Sequence, residues 1–137
     1  MTVETTELTL PSRIEAVNKA ATAVAEILGR LGVSEEAAFR IDMAVREAVT
    51  NAVLHGNKQD ESKLVRVTLA SSPEMIEITV HDEGAGFNPA EVPDPTAEMN
   101  ILKTSGRGIF FMRNFMDEVD WLGRPEGGTT VRMIKRI

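Results

Sequence analysis

Cysteine is absent from the 137 residues of the chain, which excludes disulfide bridges, thiolate zinc sites and cysteine nucleophiles together. Tyrosine is absent as well, and one Trp and five Phe are the whole aromatic complement, too few for a base-stacking platform. Positive charge is scarce: 15 basic against 21 acidic side chains leave a net charge of -6, so no general electrostatic grip on nucleic acid or an anionic membrane is expected. No apolar run is long enough to span a bilayer, and Met1 to Glu7 lacks the basic start and apolar stretch of a secretory signal. A cytoplasmic protein with no membrane and no direct nucleic-acid partner is the expectation. What is present, 42% hydrophobic and 26% charged residues, suits a folded globular chain, and the length suits one domain over residues 1–137.

The order of elements reads as follows. Glu4 to Leu10, rich in Thr and Leu, predicts a strand at a sheet edge. Ser12 and Glu15 have the spacing of a capping box before an Ala-rich helix from Ala16 to Leu31, stopped by Gly32. Ser34, with Glu35 and Glu36 in the first turn, opens a second helix that is expected to run to about His55 and close at Gly56 and Asn57. Lys63 to Ala70 and Met75 to Asp82 predict a hairpin across a Ser-Ser-Pro-Glu turn. The proline-interrupted stretch 88–105 is the longest expected irregular connection. A short helix over Gly108 to Phe115 and a hairpin from Asp117 to Leu122 and Thr129 to Ile137 complete the chain. This order predicts an α+β two-layer sandwich, with helices on one face of a mixed, mainly antiparallel sheet.

Four clusters can carry chemistry. Ile41, Ala44, Val45, Ala48, Val49 and Ala52 form the apolar stripe of the second helix, while Glu47, Asn51 and His55 follow one another at four-residue steps on another face. That second face is either an ordinary solvated one or a functional edge, because a carboxylate can take a proton and an amide oxygen can ligate magnesium. Asp82 ends a predicted strand before Glu83-Gly84-Ala85-Gly86; it is either a polar hairpin exit or a carboxylate that accepts from an exocyclic amine while bare glycine backbone lets a flat ring approach. Gly106-Arg107-Gly108 leads into a predicted helix, either as a hinge or as backbone N–H groups and a guanidinium for phosphate. Gly127-Gly128-Thr129-Thr130 reads as a tight turn into the last strand.

Together the segments Glu47 to Gly56, Asp82 to Phe87, Gly106 to Ile109 and Gly127 to Thr130 resemble, in order and spacing, the N box, the two glycine boxes and the terminal Gly-Thr element of the GHKL ATPase superfamily. The His-Gly end of the first segment and the run Gly108 to Val119 resemble the branch of anti-sigma factor serine/threonine kinases in bacterial partner-switching systems. The resemblance implies ATP and Mg2+ as cofactors, with 88–105 as the ATP lid. It further implies Glu47 as the general base toward a substrate serine and Asn51 as the magnesium ligand. Asp82 would accept from the adenine amino group, with Gly84 and Gly86 allowing close approach to the base. Gly106, Arg107 and Gly108 would contact the phosphates, and Thr130 would support the adenine side; His55 receives no chemical step. The implied partners are a sigma factor, a STAS-domain anti-sigma antagonist and a second copy of the chain in a homodimer. Two other readings are a nucleotide-binding interaction module without phosphotransfer and the ATP-binding domain of a histidine kinase-like system.

Overall fold

A computed structural model describes residues 4–84, 115–123 and 128–137. The expected lid at 88–105, the second glycine box at 106–108 and all of the expected short helix except Phe115 lie outside the described residues. Five strands, β1 (Glu4–Pro11), β2 (Leu64–Ser71), β3 (Met75–Asp82), β4 (Glu118–Gly123) and β5 (Thr129–Arg136), form one sheet in the order β1-β2-β3-β5-β4. Every pair is antiparallel, so the sheet expected as mixed has no parallel pair among the described residues. β1 is an edge strand, as its composition suggested.

Helices α1 (Glu15–Leu31) and α2 (Glu35–Asn51) cover one face. The small side chains of Ala16, Ala20 and Ala21 let α1 pack closely, and Val24, Ile27 and Leu28 bury its second half. The expected stripe of α2 is buried from Ile41 through Ala52 and meets Val65, Val67, Leu69, Ile76, Ile78, Val80, Val131 and Met133 from alternate strand positions. Gly32 stops α1 in the left-handed conformation, φ 70°, its N–H reaching Gly29 O. Ser34 caps α2, accepting from Ala37 N–H at 3.2 Å.

Two expectations at helix ends are corrected. Ser12 does not cap α1: Ile14 occupies the N-cap without a side-chain bond, and the Ser12 hydroxyl instead donates to Lys63 O at 2.5 Å, a long-range tie to the start of β2. Nor does α2 run regularly to His55. Its α-helical pattern ends at Asn51 and widens into a single π turn, Ala52–Gly56, with Asn57 N–H reaching Ala52 O at 2.8 Å. The chain leaves that turn through Lys58 and Gln59 at φ 51° and 59°, so the left-handed exit falls on these residues and not on Gly56.

Candidate functional site

The π turn faces the exit of β3. Asp82 closes that strand on the helix-covered side and is 6% exposed. Its Oδ1 accepts from Gly84 N–H at 3.0 Å, and Thr129 N–H also donates to the carboxylate. Burial raises the Asp82 pKa above its usual value; those two N–H groups, with His81 and Lys63, oppose the rise without reversing it.

Glycines make this packing feasible. A Cβ on Gly56 would sit 2.4 Å from Asp82 Cγ, and one on Gly84 would sit 1.8 Å from Gly56 O. The second clash is backbone against backbone, so no side chain can swing away to relieve it. Gly128 has φ 93°, and a Cβ there would lie 2.4 Å from Asp82 O. Gly84→Ala should therefore destabilise the fold by at least about 1–3 kcal/mol, the usual cost of forcing atoms into a filled space. A denaturation midpoint equal to that of the unaltered protein would refute the contact.

Glu47 and Asn51 lie one turn apart near the end of α2, both half-buried. Burial raises the Glu47 pKa, moving its carboxylate toward the range in which it is a better proton acceptor. Asn51 Oδ1 is buried with no hydrogen-bond partner, an acceptor whose lost hydration nothing in the described residues replaces. His55 falls in the π turn and is exposed, so the four-residue stack stops at Asn51.

The terminal Gly-Thr element is divided between the two faces of the sheet. Pairing sets Val80 against Val131 and Asp82 against Thr129 on the helix side, while His81 pairs with Thr130 on the other. The Thr130 hydroxyl lies 2.9 Å from His81 Nδ1. Thr129, 4% exposed, has a buried Oγ1 without a partner among the described residues. It is thus Thr129, rather than the expected Thr130, whose side chain shares the face of Asp82. Two adjacent threonines look alike in sequence, and only the pairing register decides which faces the helices.

The structure therefore brings Asp82, Gly84 and Thr129 together at one end of the sheet, with the π turn that prolongs α2 packed against them, and it puts Thr130 on the opposite face. Gly86, Gly106, Arg107 and Gly108 lie outside the described residues. Gly56 and Asn57 were expected only to close the second helix, and their part in this arrangement rests on tertiary contacts: Asn57 is 1% exposed and bonds to Ser12, Leu64 and Glu83.

Comparison with known proteins bears on the same arrangement. Proteins named anti-sigma F factor from Bacillus cytotoxicus and Bacillus cereus are each 35% identical over 116 residues, 83% of this chain and 80% of theirs. The solved structure of the RsbU and RsbW domains of a Mycobacterium tuberculosis protein superposes with a TM-score of 0.72 at 21% identity, over 97% of this chain and 32% of that one. The mycobacterial sensor histidine kinase MprB gives a TM-score of 0.56 at 16% identity over 97% of each chain, a likeness of fold. The family described as histidine kinase-like ATPase domain matches residues 10–135, a span that includes both helices and the whole candidate site. The chain belongs to that family, the GHKL ATPases, and the nucleotide of the fold is ATP.

Proposed function

We propose that the protein is an anti-sigma factor with ATP-dependent serine/threonine kinase activity, which phosphorylates a STAS-domain antagonist and sequesters a sigma factor. The observation that carries the phosphotransfer reading is the pair on α2: a half-buried carboxylate with a raised pKa, one turn before an amide oxygen that is buried and unpartnered. A module that merely bound nucleotide would have no use for such a base.

Among the described residues no group of three or more His, Cys, Asp or Glu is placed to hold a metal. Magnesium does not require one, since it commonly keeps several waters and takes one or two protein ligands together with substrate phosphates. Asn51 Oδ1 fits that limited role. When bound, the cation would neutralise phosphate charge during transfer. Glu47 takes the proton from the attacking serine hydroxyl. Asp82 accepts from the adenine amino group, with the Thr129 hydroxyl as a second polar contact on the same face; Gly84, bare of a side chain, lets this backbone pack on Gly56, and Gly86 would let the backbone approach the ring. Gly106, Arg107 and Gly108 hold the phosphates, Arg107 supplying positive charge that a chain of net charge -6 otherwise lacks.

The sigma factor follows from the relatives' name, anti-sigma F factor, and the STAS-domain antagonist belongs to the proposal as the substrate of the transfer. A homodimer is part of the same reading, with the outer edge of β1, unpaired among the described residues, available for a second copy to cover. Phosphate on the antagonist serine adds a charge near -2, and next to an acidic protein and its bound nucleotide that charge ends the complex. Incubation with labelled ATP, magnesium and STAS-domain proteins should transfer label to a serine. The unphosphorylated antagonist should compete with the sigma factor and the phosphorylated form should not. Equal binding of the two forms would overturn the switch, sedimentation as a monomer at micromolar concentration would overturn the dimer, and absence of transfer would leave a binding module.

A further inference from the structure

Asn57 is a buried amide whose polar atoms are all engaged. Its Nδ2 donates to Ser12 Oγ at 2.7 Å and to Leu64 O at 3.1 Å, and its Oδ1 accepts from Glu83 N–H at 2.8 Å. Its own N–H closes the π turn on Ala52 O, and its carbonyl accepts from Asp60 N–H at 3.0 Å. Ser12 extends the network by donating to Lys63 O, and the Glu83 carboxylate accepts from Leu64 N–H. One side chain thus joins the segment before α1, the start of β2 and the residue between Asp82 and Gly84.

We infer that Asn57 is a positioning residue for base recognition: its carboxamide fixes the Glu83 peptide, and through it the direction of the Asp82 carboxylate. The inference rests on the reading of Asp82 as the acceptor for the adenine amino group. Three observations support it. Glu83 lies beyond the last residue of β3, where no strand among the described residues holds its N–H. Gly84 N–H, the next donor along, bonds to Asp82 Oδ1, so a shift of the Glu83 peptide would move the carboxylate's own anchor. Finally, the glycine contact between Gly56 and Gly84 removes an obstacle without supplying attraction. The bond from Glu83 N–H to Asn57 Oδ1 supplies a polar link between the π-turn exit and the segment that leads into Gly84. The π turn has a purpose in this scheme: one additional residue per turn brings Asn57 round to the end of the sheet.

A role confined to stability and a role in positioning differ in one readout, the ratio of ATP to GTP affinity. Loss of folded protein lowers both affinities together and leaves the ratio unchanged. Asn57→Leu, measured by calorimetry well below its unfolding midpoint, should reduce the ratio by roughly tenfold or more, as expected when a buried hydrogen bond that aims a recognition group is removed. Asn57→Asp retains the oxygen that accepts from Glu83 N–H and loses both donor bonds. It should be less stable than the unaltered protein and yet recover most of the ratio. Equal ratios in all three proteins would overturn the inference, as would equal losses in the two variants. Absence of ATP preference in the unaltered protein would instead overturn the reading of Asp82, and the inference with it. Where Asn57→Leu does not fold, the Glu83 amide proton decides: exchange slowed to the level of the β3 amides supports the clamp, and exchange at the rate of an exposed loop amide overturns it. None of these measurements needs a protein partner or phosphotransfer, so the kinase reading can fail without deciding the inference.

Discussion

Glu47→Gln should bind ATP as tightly as the unaltered protein and transfer phosphate about 10²- to 10⁴-fold more slowly, the usual contribution of a general base. The amide preserves the size of the side chain and its place on α2 but cannot accept the serine proton. The same substitution should leave the fold at least as stable at neutral pH. Burial raises the folded pKa of Glu47 above the usual carboxylate value, so the folded chain takes up a proton there more readily than the unfolded chain. Its ionised form therefore costs stability at neutral pH, and that cost disappears as pH falls through the folded pKa. The advantage of Glu47→Gln should shrink over the same interval, as two series of denaturation curves would register. Activity of the unaltered protein should fall in that interval too, because the carboxylate that accepts the proton is being consumed. Normal phosphorylation by Glu47→Gln would place the base elsewhere.

The sequence was most legible where function and fold share a local pattern. The stripe from Ile41 to Ala52 predicted the buried face of α2, and with it the separate edge that carries Glu47 and Asn51. β3 was read to its ends, Met75 and Asp82, because alternating Ile and Val set its period and a glycine-rich stretch followed. Less was legible wherever a short polar residue serves a distant segment. Ser12 with Glu15 satisfies a local capping pattern, yet the hydroxyl is engaged by Lys63 and Asn57, 51 and 45 residues away. Asn57 looked like a residue that ends a helix, and its bonds to Ser12, Leu64 and Glu83 depend on a tertiary arrangement that no periodicity encodes. The π turn belongs to the same class, since the residues from Ala52 to Gly56 also suit a regular helix, and packing against Asp82 determines the outcome.

ATP should bind in preference to GTP by roughly 10⁴, the discrimination reached by sites built to bond a particular polar group. An ionised carboxylate has no proton to give, so Asp82 can satisfy the adenine amino group but opposes the guanine carbonyl oxygen at the same position. The surroundings make that mismatch costly. Asp82 is 6% exposed, Gly84 and Thr129 direct their N–H groups at it, and the backbones of Gly56 and Gly128 close around it. Water therefore has little room to mediate, and the carboxylate has little freedom to turn away. Asp82→Asn tests the argument in the opposite direction. Its amide oxygen can still accept from Gly84 N–H, while the new NH2 group repels the adenine amine and can donate to guanine, so the preference for ATP should largely disappear. Calorimetric titration of both proteins with both nucleotides measures all four affinities. Equal binding of ATP and GTP by the unaltered protein would show that Asp82 does not read the base, and a preference retained in Asp82→Asn would show that another residue does.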